Sequence, residues 1–425
     1  MQTEANRENV AVKVAFYGIV ATLAAVGAGA AAQRFVEGLK VTALSSTMTW
    51  GLWIAFYIFF VGLSAGSFLL STMIYVFNMR GLERVGRLAL LTAVLALVGA
   101  LIFVGMDLGH PERFWRIVAN WHGTSVMAIE FALYLFYIAL MLVELYFLMR
   151  LDLAAAASKG GVRGGVARLL SFGFRLPATA EGSSTAEGTA MKVAKVCGII
   201  GIPTAIGVHG GTGAIFAVSI ARPYWNSGLF PVMFVVSALA SGSALVTLLY
   251  ALLGRRDDRF LPTLRSAANL MILFIAIDAL LVVADFTAGF YQRGTEASST
   301  LGELALGHYS LIFWLGEVGL GLLVPVLLVA LGGRSAFWMG AAGFSMLMGI
   351  LAVRFDIVVP AYLNPVLPGL NLAYQDPRFV YQYSPSGSEW LISVGLVAFL
   401  ALVLALALDL LPMGREISPI GGRRR

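Results

Sequence analysis

Charge is what this 425-residue sequence has least of. Asp, Glu, Lys and Arg make up 12% of it, about half the roughly 25% of an ordinary soluble domain, while 59% is hydrophobic. That scarcity excludes a water-soluble globule. Thr49 to Phe77 contains no charged residue and exceeds the roughly 20 apolar residues that cross a hydrocarbon core of about 30 Å. Cysteine is scarcer still. Cys197 stands alone, so the chain makes no internal disulfide and supplies no thiolate set for an iron–sulfur cluster or a zinc site; it reads as a small apolar helix residue. Histidine occurs four times, at His110, His122, His209 and His308. Two transmembrane b-type haems need four axial ligands deep in helices at two depths, and three of these histidines lie at loop depth, which excludes a haem wire through the chain. No Walker loop, dinucleotide glycine fingerprint or Ser/His/Asp signature stands in a credible context. Gly210-Gly-Thr-Gly213 lies within a span, where helix packing or local unwinding outranks phosphate binding.

What is present is a succession of long apolar runs between polar breaks, at about 13–32, 50–77, 87–107, 124–149, 190–220, 228–253, 268–291, 308–332, 335–357 and 388–411. They predict an all-α polytopic membrane protein of about ten transmembrane helices, with no room for a folded extramembrane domain. The first run is too long for the apolar region of a signal peptide, and Glu4 and Glu8 spoil a basic leader, so it is read as a helix. With ten spans, both termini and the even-numbered loops share one face. That face collects 21 of the 29 Lys and Arg residues, including Arg80, Arg84, Arg87, Arg255, Arg256, Arg259 and Arg423 to Arg425; Arg293 is among the eight on the other. The positive-inside rule then puts both termini in the cytoplasm, with the protein set in the inner, cytoplasmic membrane. The net charge of +6 reads as topology, since there is no basic domain or aromatic platform for nucleic acid.

Leu63-Ser-Ala-Gly66-Ser67-Phe-Leu69 and Leu239-Ala-Ser-Gly242-Ser243-Ala-Leu245 share Leu, Gly, Ser and Leu at one spacing, four spans apart. An even span count makes this a parallel repeat, although small residues also serve any close helix crossing. The repeat suggests two parallel four-helix bundles plus two peripheral helices. The expected segments are 1–49, an N-terminal peripheral helix and loop; 50–220, the first bundle; 221–357, the second; 358–387, a loop; and 388–425, the last helix with a basic tail. The connection from Arg150 to Met191, rich in Gly and Ser, is expected to be a mobile linker. The 358–387 loop holds five of the 14 prolines with Tyr362, Tyr374, Phe379, Tyr381 and Tyr383, which reads as a packed cover or a docking surface.

Ionisable groups in hydrocarbon cost several kcal/mol and are functional candidates by default. By span direction, Glu130, Asp285 and Glu317 lie in the outer half, His209 and Asp278 near mid-depth, and Glu144 near the cytoplasmic end. Asp107, His110, His308, Arg354 and Asp356 lie near outer helix ends. Single residues have plainer readings: His209 as a satisfied structural hydrogen-bonder, Asp285 or Glu317 paired with Arg354 to hold helices together, Asp107, Glu144 and Asp356 solvated at the interface. As a set they predict a polar, proton-handling cavity near the outer face.

Trp50-Gly-Leu-Trp53, Gly62-Leu-Ser-Ala-Gly66 and above all Asp107-Leu-Gly-His-Pro-Glu-Arg-Phe-Trp115 resemble the NrfD/PsrC family, the membrane subunits of polysulfide-reductase-type respiratory complexes. His209, Arg222-Pro-Tyr-Trp225, Pro231, Ser237 to Gly242, Glu317 and Arg354-Phe-Asp356 extend the resemblance over about 50–361. The simplest members have eight helices, so ten spans resemble the ten-helix branch. The resemblance implies a subunit with no redox centre of its own, neither haem nor metal. It implies a quinone, menaquinone or ubiquinone, bound near the outer leaflet. It also implies an extracytoplasmic ferredoxin-like iron–sulfur partner, coupled to a molybdopterin enzyme, a hydrogenase or a multihaem cytochrome. Trp53, Tyr57, Asp107, Glu130 and His209 are then the quinone candidates, with Trp53 and Tyr57 also readable as interfacial-belt aromatics. Glu144, Asp278, Asp285, Glu317, Arg354 and Asp356 are proton-path candidates. His110, Glu112, Arg113 and Trp115, with the 358–387 loop, are the docking candidates. The rival expectation is a secondary transporter, which parallel repeats and midplane acids also suit.

Overall fold

A computed structural model describes residues 2–413 except 293, 333, 334, 368 and 377; the side chains of residues 2–9 and 80 are also outside the description. Arg293, the side chains of Glu4, Glu8 and Arg80, and the basic tail with Arg423 to Arg425 therefore lie outside the described residues. The described chain is helical, with ten helices long and apolar enough to cross a membrane. They are α1 (Gln2–Glu37), α2 (Leu52–Tyr75), α3 (Gly86–Asp107), α4 (Val126–Ala157), α5 (Ala180–Ala217), α6 (Phe230–Leu253), α7 (Phe260–Tyr291), α8 (Ile312–Gly332), α9 (Ala336–Val358) and α10 (Gly387–Leu410). This is a multi-pass membrane protein.

Without a hydrophobic force between helices in lipid, close packing of small residues decides which helices meet. α2 is buried along its whole apolar window because it packs against α3, α5, α6 and α9 at once. Around it α3, α4 and α5 complete one ring, and α6 to α9 pack as a second. The two rings meet where the repeated motifs cross. A methyl built on Gly66 would lie 1.8 Å from the Ala238 carbonyl oxygen, and one on Gly242 would lie 2.2 Å from the Gly66 backbone, so only glycine lets α2 and α6 approach this closely. α1 and α10 pack mainly on each other, with α10 touching α3. Arg34 of α1 donates to the Met106 carbonyl at 2.9 Å, which ties the pair to the end of α3. Lys13 and Tyr17 meet Asp409 at the other end.

The stretch expected to be a linker is largely helical. α4 runs to Ala157, a separate helix covers Gly161–Leu170, and α5 starts at Ala180, where the Thr179 hydroxyl caps it by accepting from the Gly182 amide at 3.1 Å. A helix over Glu296–Leu306 precedes α8, capped in the same way by Thr295. Gly210 to Gly213 stay helical; Gly213 sits against the backbone of Phe230 and Pro231, so these glycines serve packing. Within α8, Ile312–Leu323 is wound as a π-helix, a form concentrated at functional sites.

Candidate functional site

The face carrying the Asp107–Trp115 loop, which the arginine count assigns to the outside, is called outer below. Buried polar side chains near it form three clusters. The first spans α2, α4 and α5. Tyr134 follows Glu130 by one helical turn, so both project from the same face of α4. The Tyr134 hydroxyl donates to Glu130 Oε1 at 2.8 Å, and the Thr212 hydroxyl donates to the same oxygen. The hydroxyls of Tyr57 and Tyr134 stand 2.6 Å apart. All four residues are buried, which puts a carboxyl group and three hydroxyls out of contact with bulk water.

The second cluster joins the two rings. His209 is fully buried on α5, with its ring beside Gly62 and 5.3 Å from the Phe234 ring. Its Nε2 lies 3.5 Å from Nη2 of Arg354 on α9, and the same Nη2 donates to Ser237 of α6. The guanidinium lies over Phe234 at 4.6 Å. Arginine has only donors, so this contact makes Nε2 the acceptor and leaves the imidazole proton on Nδ1. Nδ1 has no partner among the described residues. Asp278 of α7 and Glu317 of α8 lie within electrostatic reach of Arg354. Next to them the Asp356 carboxyl is buried with neither oxygen bonded among the described residues.

The third cluster fastens the peripheral helices. Glu389 of α10 accepts from the Ala43 amide at 3.0 Å, the Ser386 amide at 2.8 Å and the Tyr383 hydroxyl. The Tyr383 hydroxyl accepts in turn from the Leu52 amide at 2.8 Å. Burial, and then the Glu389 charge, hold the Tyr383 phenol above its ordinary range, so it remains a donor. Trp53 donates its indole N–H to the Glu389 carbonyl at 3.3 Å, and Asp107 lies within electrostatic reach of Glu389 and Arg34.

The five residues expected around one quinone are thus divided. Tyr57 and Glu130 share the first cluster, His209 belongs to the second, and Trp53 and Asp107 to the third. Trp53 and Tyr57 are buried among helices, so neither is a belt aromatic at the lipid interface. Glu144 and Asp356 are buried and the solvated reading fails for both. Asp285 accepts from the Ser227 hydroxyl at 2.7 Å and makes no contact ion pair with Arg354 among the described residues. Glu144 is buried on α4 with both oxygens unbonded among the described residues, as are the hydroxyls of Ser64, Ser67 and Ser71 on α2.

Tyr134, Thr212 and Glu389 were not picked out from the sequence, while Ser237 and Tyr383 were named there only as part of a motif and of a loop. The first two carried a signal, standing four and three residues from Glu130 and His209 on the same helices. Glu389 is brought in from the last span and carried none. Two of the motifs that carry the resemblance, Trp50–Trp53 and Arg222–Trp225, pack on each other. Trp50 stacks on Trp225 at 5.5 Å, and Arg222 donates to the carbonyls of Ala361 and Asn364 at 3.2 and 2.9 Å.

The docking candidates lie on the loop from α3 to α4. His110 Nδ1 sits 2.9 Å from Glu112, Arg113 lies 3.5 Å from the same carboxylate, and all three side chains are more than half exposed. A backbone hydrogen bond and the His110 contact hold the Glu112 carboxyl below its ordinary range. Phe114, Trp115, Val118 and Trp121 are also exposed, an apolar surface at a helix end.

Comparison with known proteins finds a family model described as "Polysulphide reductase, NrfD" matching residues 40–366. That stretch holds α2 to α9 and leaves out all of α1 and all of α10. A selenate reductase subunit of Mesobacillus selenatarsenatis is 42% identical over 402 residues, a match that takes in 94% of either sequence. The Hdr-like menaquinol oxidoreductase integral membrane subunit of Archaeoglobus fulgidus is 25% identical over 93% of either sequence. A polysulfide reductase polypeptide of Wolinella succinogenes is 27% identical over 67% of the present sequence and 83% of its own.

Proposed function

The chain belongs to the NrfD polysulphide reductase family, and from that premise we propose that it is the quinone-binding membrane subunit of an oxidoreductase complex. The observation that carries the reading is a set of buried groups in the outer half of the first ring: the hydrogen-bonded Glu130–Tyr134–Thr212–Tyr57 cluster and, three residues from Thr212 on α5, His209 with Nδ1–H unbonded among the described residues. A quinone needs donors for its two oxygens and, on reduction, two protons to match two electrons. The His209 Nδ1–H can donate to one of those oxygens, the Tyr57 hydroxyl can donate to the other by turning from Tyr134, and Glu130, reached through Tyr134 and Tyr57, exchanges the two protons one after the other. Electrons are exchanged with a partner, whose cofactors carry the redox chemistry. A relative named as a menaquinol oxidoreductase subunit supports a quinone as the substrate class.

The exposed 108–121 loop and the 358–387 segment present the surface for an iron–sulfur partner of the ferredoxin-like kind. There Phe114, Trp115, Leu372 and Tyr374 are exposed, and apolar and aromatic anchors of this sort carry protein interfaces. A route for protons inward would use the unbonded hydroxyls of Ser64, Ser67 and Ser71 and then Glu144. The Asp278–Glu317–Arg354 group of the second ring would couple to it. Unbonded buried acids are also what favours the rival transporter reading.

One experiment separates the two. The complex is purified and crosslinked, its co-purified lipids are extracted, and a photoreactive quinone is applied. Retained quinone, labelling on α4 or α5, and partner crosslinks at 108–121 or 366–380 are expected. A complex without bound quinone or such labelling overturns the quinone reading, and partner crosslinks confined to 150–191 overturn the docking surface and the sidedness.

A further inference from the structure

The second ring holds a cavity that the proposed quinone site does not use. It has a volume of about 500 Å³ and opens between α7 and α8, with α9 as its back wall. Its sides are Val282, Phe286, Phe313 and Trp314. Tyr291 and Val283 stand at its mouth and are largely exposed, on a surface that faces the hydrocarbon layer. At its inner end are two acids, Asp278 and Glu317. Neither takes part in a hydrogen bond or a contact ion pair among the described residues, though both lie within electrostatic reach of Arg354. The wall that carries Glu317 is the π-helical stretch of α8. Four spans on from α4 and α5, which carry Glu130 and His209, stand α8 and α9, which carry Glu317 and Arg354.

We propose that this groove is a second site for a lipid-soluble quinol, entered sideways from the bilayer. The proposal rests on the quinone-binding reading of this protein. Three features of the groove select that occupant. Its walls are apolar and aromatic, which suits a ring and an isoprenoid tail. Its inner end offers two carboxyl groups, which can accept a hydrogen bond from the leading hydroxyl of a quinol. A phospholipid fits less well, because its acyl chain would leave both acids without a partner. Arg354 stands between the groove and His209, so an occupant on Asp278 and Glu317 is one side chain away from the first ring's site. The site holds a quinol; no electron step is assigned to it.

The test uses the protein in its native complex, in nanodiscs, with a diazirine-bearing menaquinol kept reduced, and maps labelled peptides by mass spectrometry. Labelling on α7 and α8 in addition to α4 and α5 is expected, with two quinols bound per protein. Ala279 lines the groove without touching either site's polar groups in any assigned role. Ala279→Phe is expected to abolish the α7/α8 label, halve the stoichiometry and leave the α4/α5 label intact. Should that variant fail to fold, Val283→Trp, at the exposed mouth, is expected to do the same. Label confined to α4 and α5 overturns the proposal, as does groove label that persists in the filled variants, or a phospholipid in the groove that excess quinol does not displace. Label on α7 and α8 alone supports the groove and overturns the first-ring site, so the two readings fail separately.

Discussion

The contact between Gly66 and α6 allows a sharp perturbation. In Gly66→Ala the new methyl would lie 1.8 Å from the Ala238 carbonyl oxygen, whereas such carbons essentially never come closer than 3.0 Å, so the two helices must part by more than 1 Å. The obstacle is backbone, which cannot rotate away. Overpacking of this kind costs about 1–3 kcal/mol or more, against about 1 kcal/mol gained in helix propensity when alanine replaces glycine. Separation also carries Gly62, one turn earlier on the same face, away from His209 and Ser241, and loosens the 3.5 Å contact between His209 and Arg354. Both stability and quinone-linked turnover should therefore fall. The control is Gly105→Ala on α3, where the added methyl meets nothing within 4 Å; it should be neutral or slightly stabilising. Thermal unfolding in detergent followed by tryptophan fluorescence, together with turnover of the purified complex, reads both effects. Equal melting and equal turnover in Gly66→Ala and wild type would refute the reasoning, and with it the closeness of the two rings.

Glu130→Gln keeps the volume of the side chain and removes its titrating proton, so turnover should drop about 100-fold or more while complex assembly, measured by co-purification, is retained; wild-type turnover would leave Glu130 a packing residue. Asp278→Asn should reduce the membrane-potential signal of reconstituted vesicles at unchanged quinone turnover if the Asp278–Arg354 group lies on a proton route, and an unchanged signal removes it from that route. Arg84 donates to both oxygens of Asp257 at 2.6 Å, and these bonds hold the carboxyl below its ordinary value near 3.8. A depressed carboxyl contributes stability above its unfolded pKa and loses it as pH falls through the folded value. Asp257→Asn should therefore cost less than about 1 kcal/mol at pH 7, as expected of a partly exposed pair, and that cost should shrink as the pH is lowered below 3.8; a cost that does not shrink would place its origin elsewhere.

The ten spans were legible in the sequence because bilayer thickness imposes a length and lipid forbids charge along it. Glu130, His209 and Arg354 stood out for the same reason: an ionisable residue inside a long apolar run is visible without any knowledge of neighbours. The helical character of 150–191 was hidden by its glycines and serines, which weaken local propensity while a cap at Thr179 and attachment to two long helices restore it. The repeat's two glycines could be seen, but not that they face each other, since close packing is a relation between helices.

What the sequence by itself determined, then, is the class of molecule, its spans and the identity of the costly residues, all of which follow from composition along one dimension. Which of those residues meet was decided only in the tertiary structure. Trp53 stands one helical turn from Tyr57, yet it donates to the carbonyl of Glu389 on α10, more than 250 positions further on, while Asp107 lies beside Arg34 of α1. Arg354 reaches across the two rings to His209 because Gly66 and Gly242 let them close up. Helix packing selects partners by shape over the whole bundle, and no local pattern of residues records that choice.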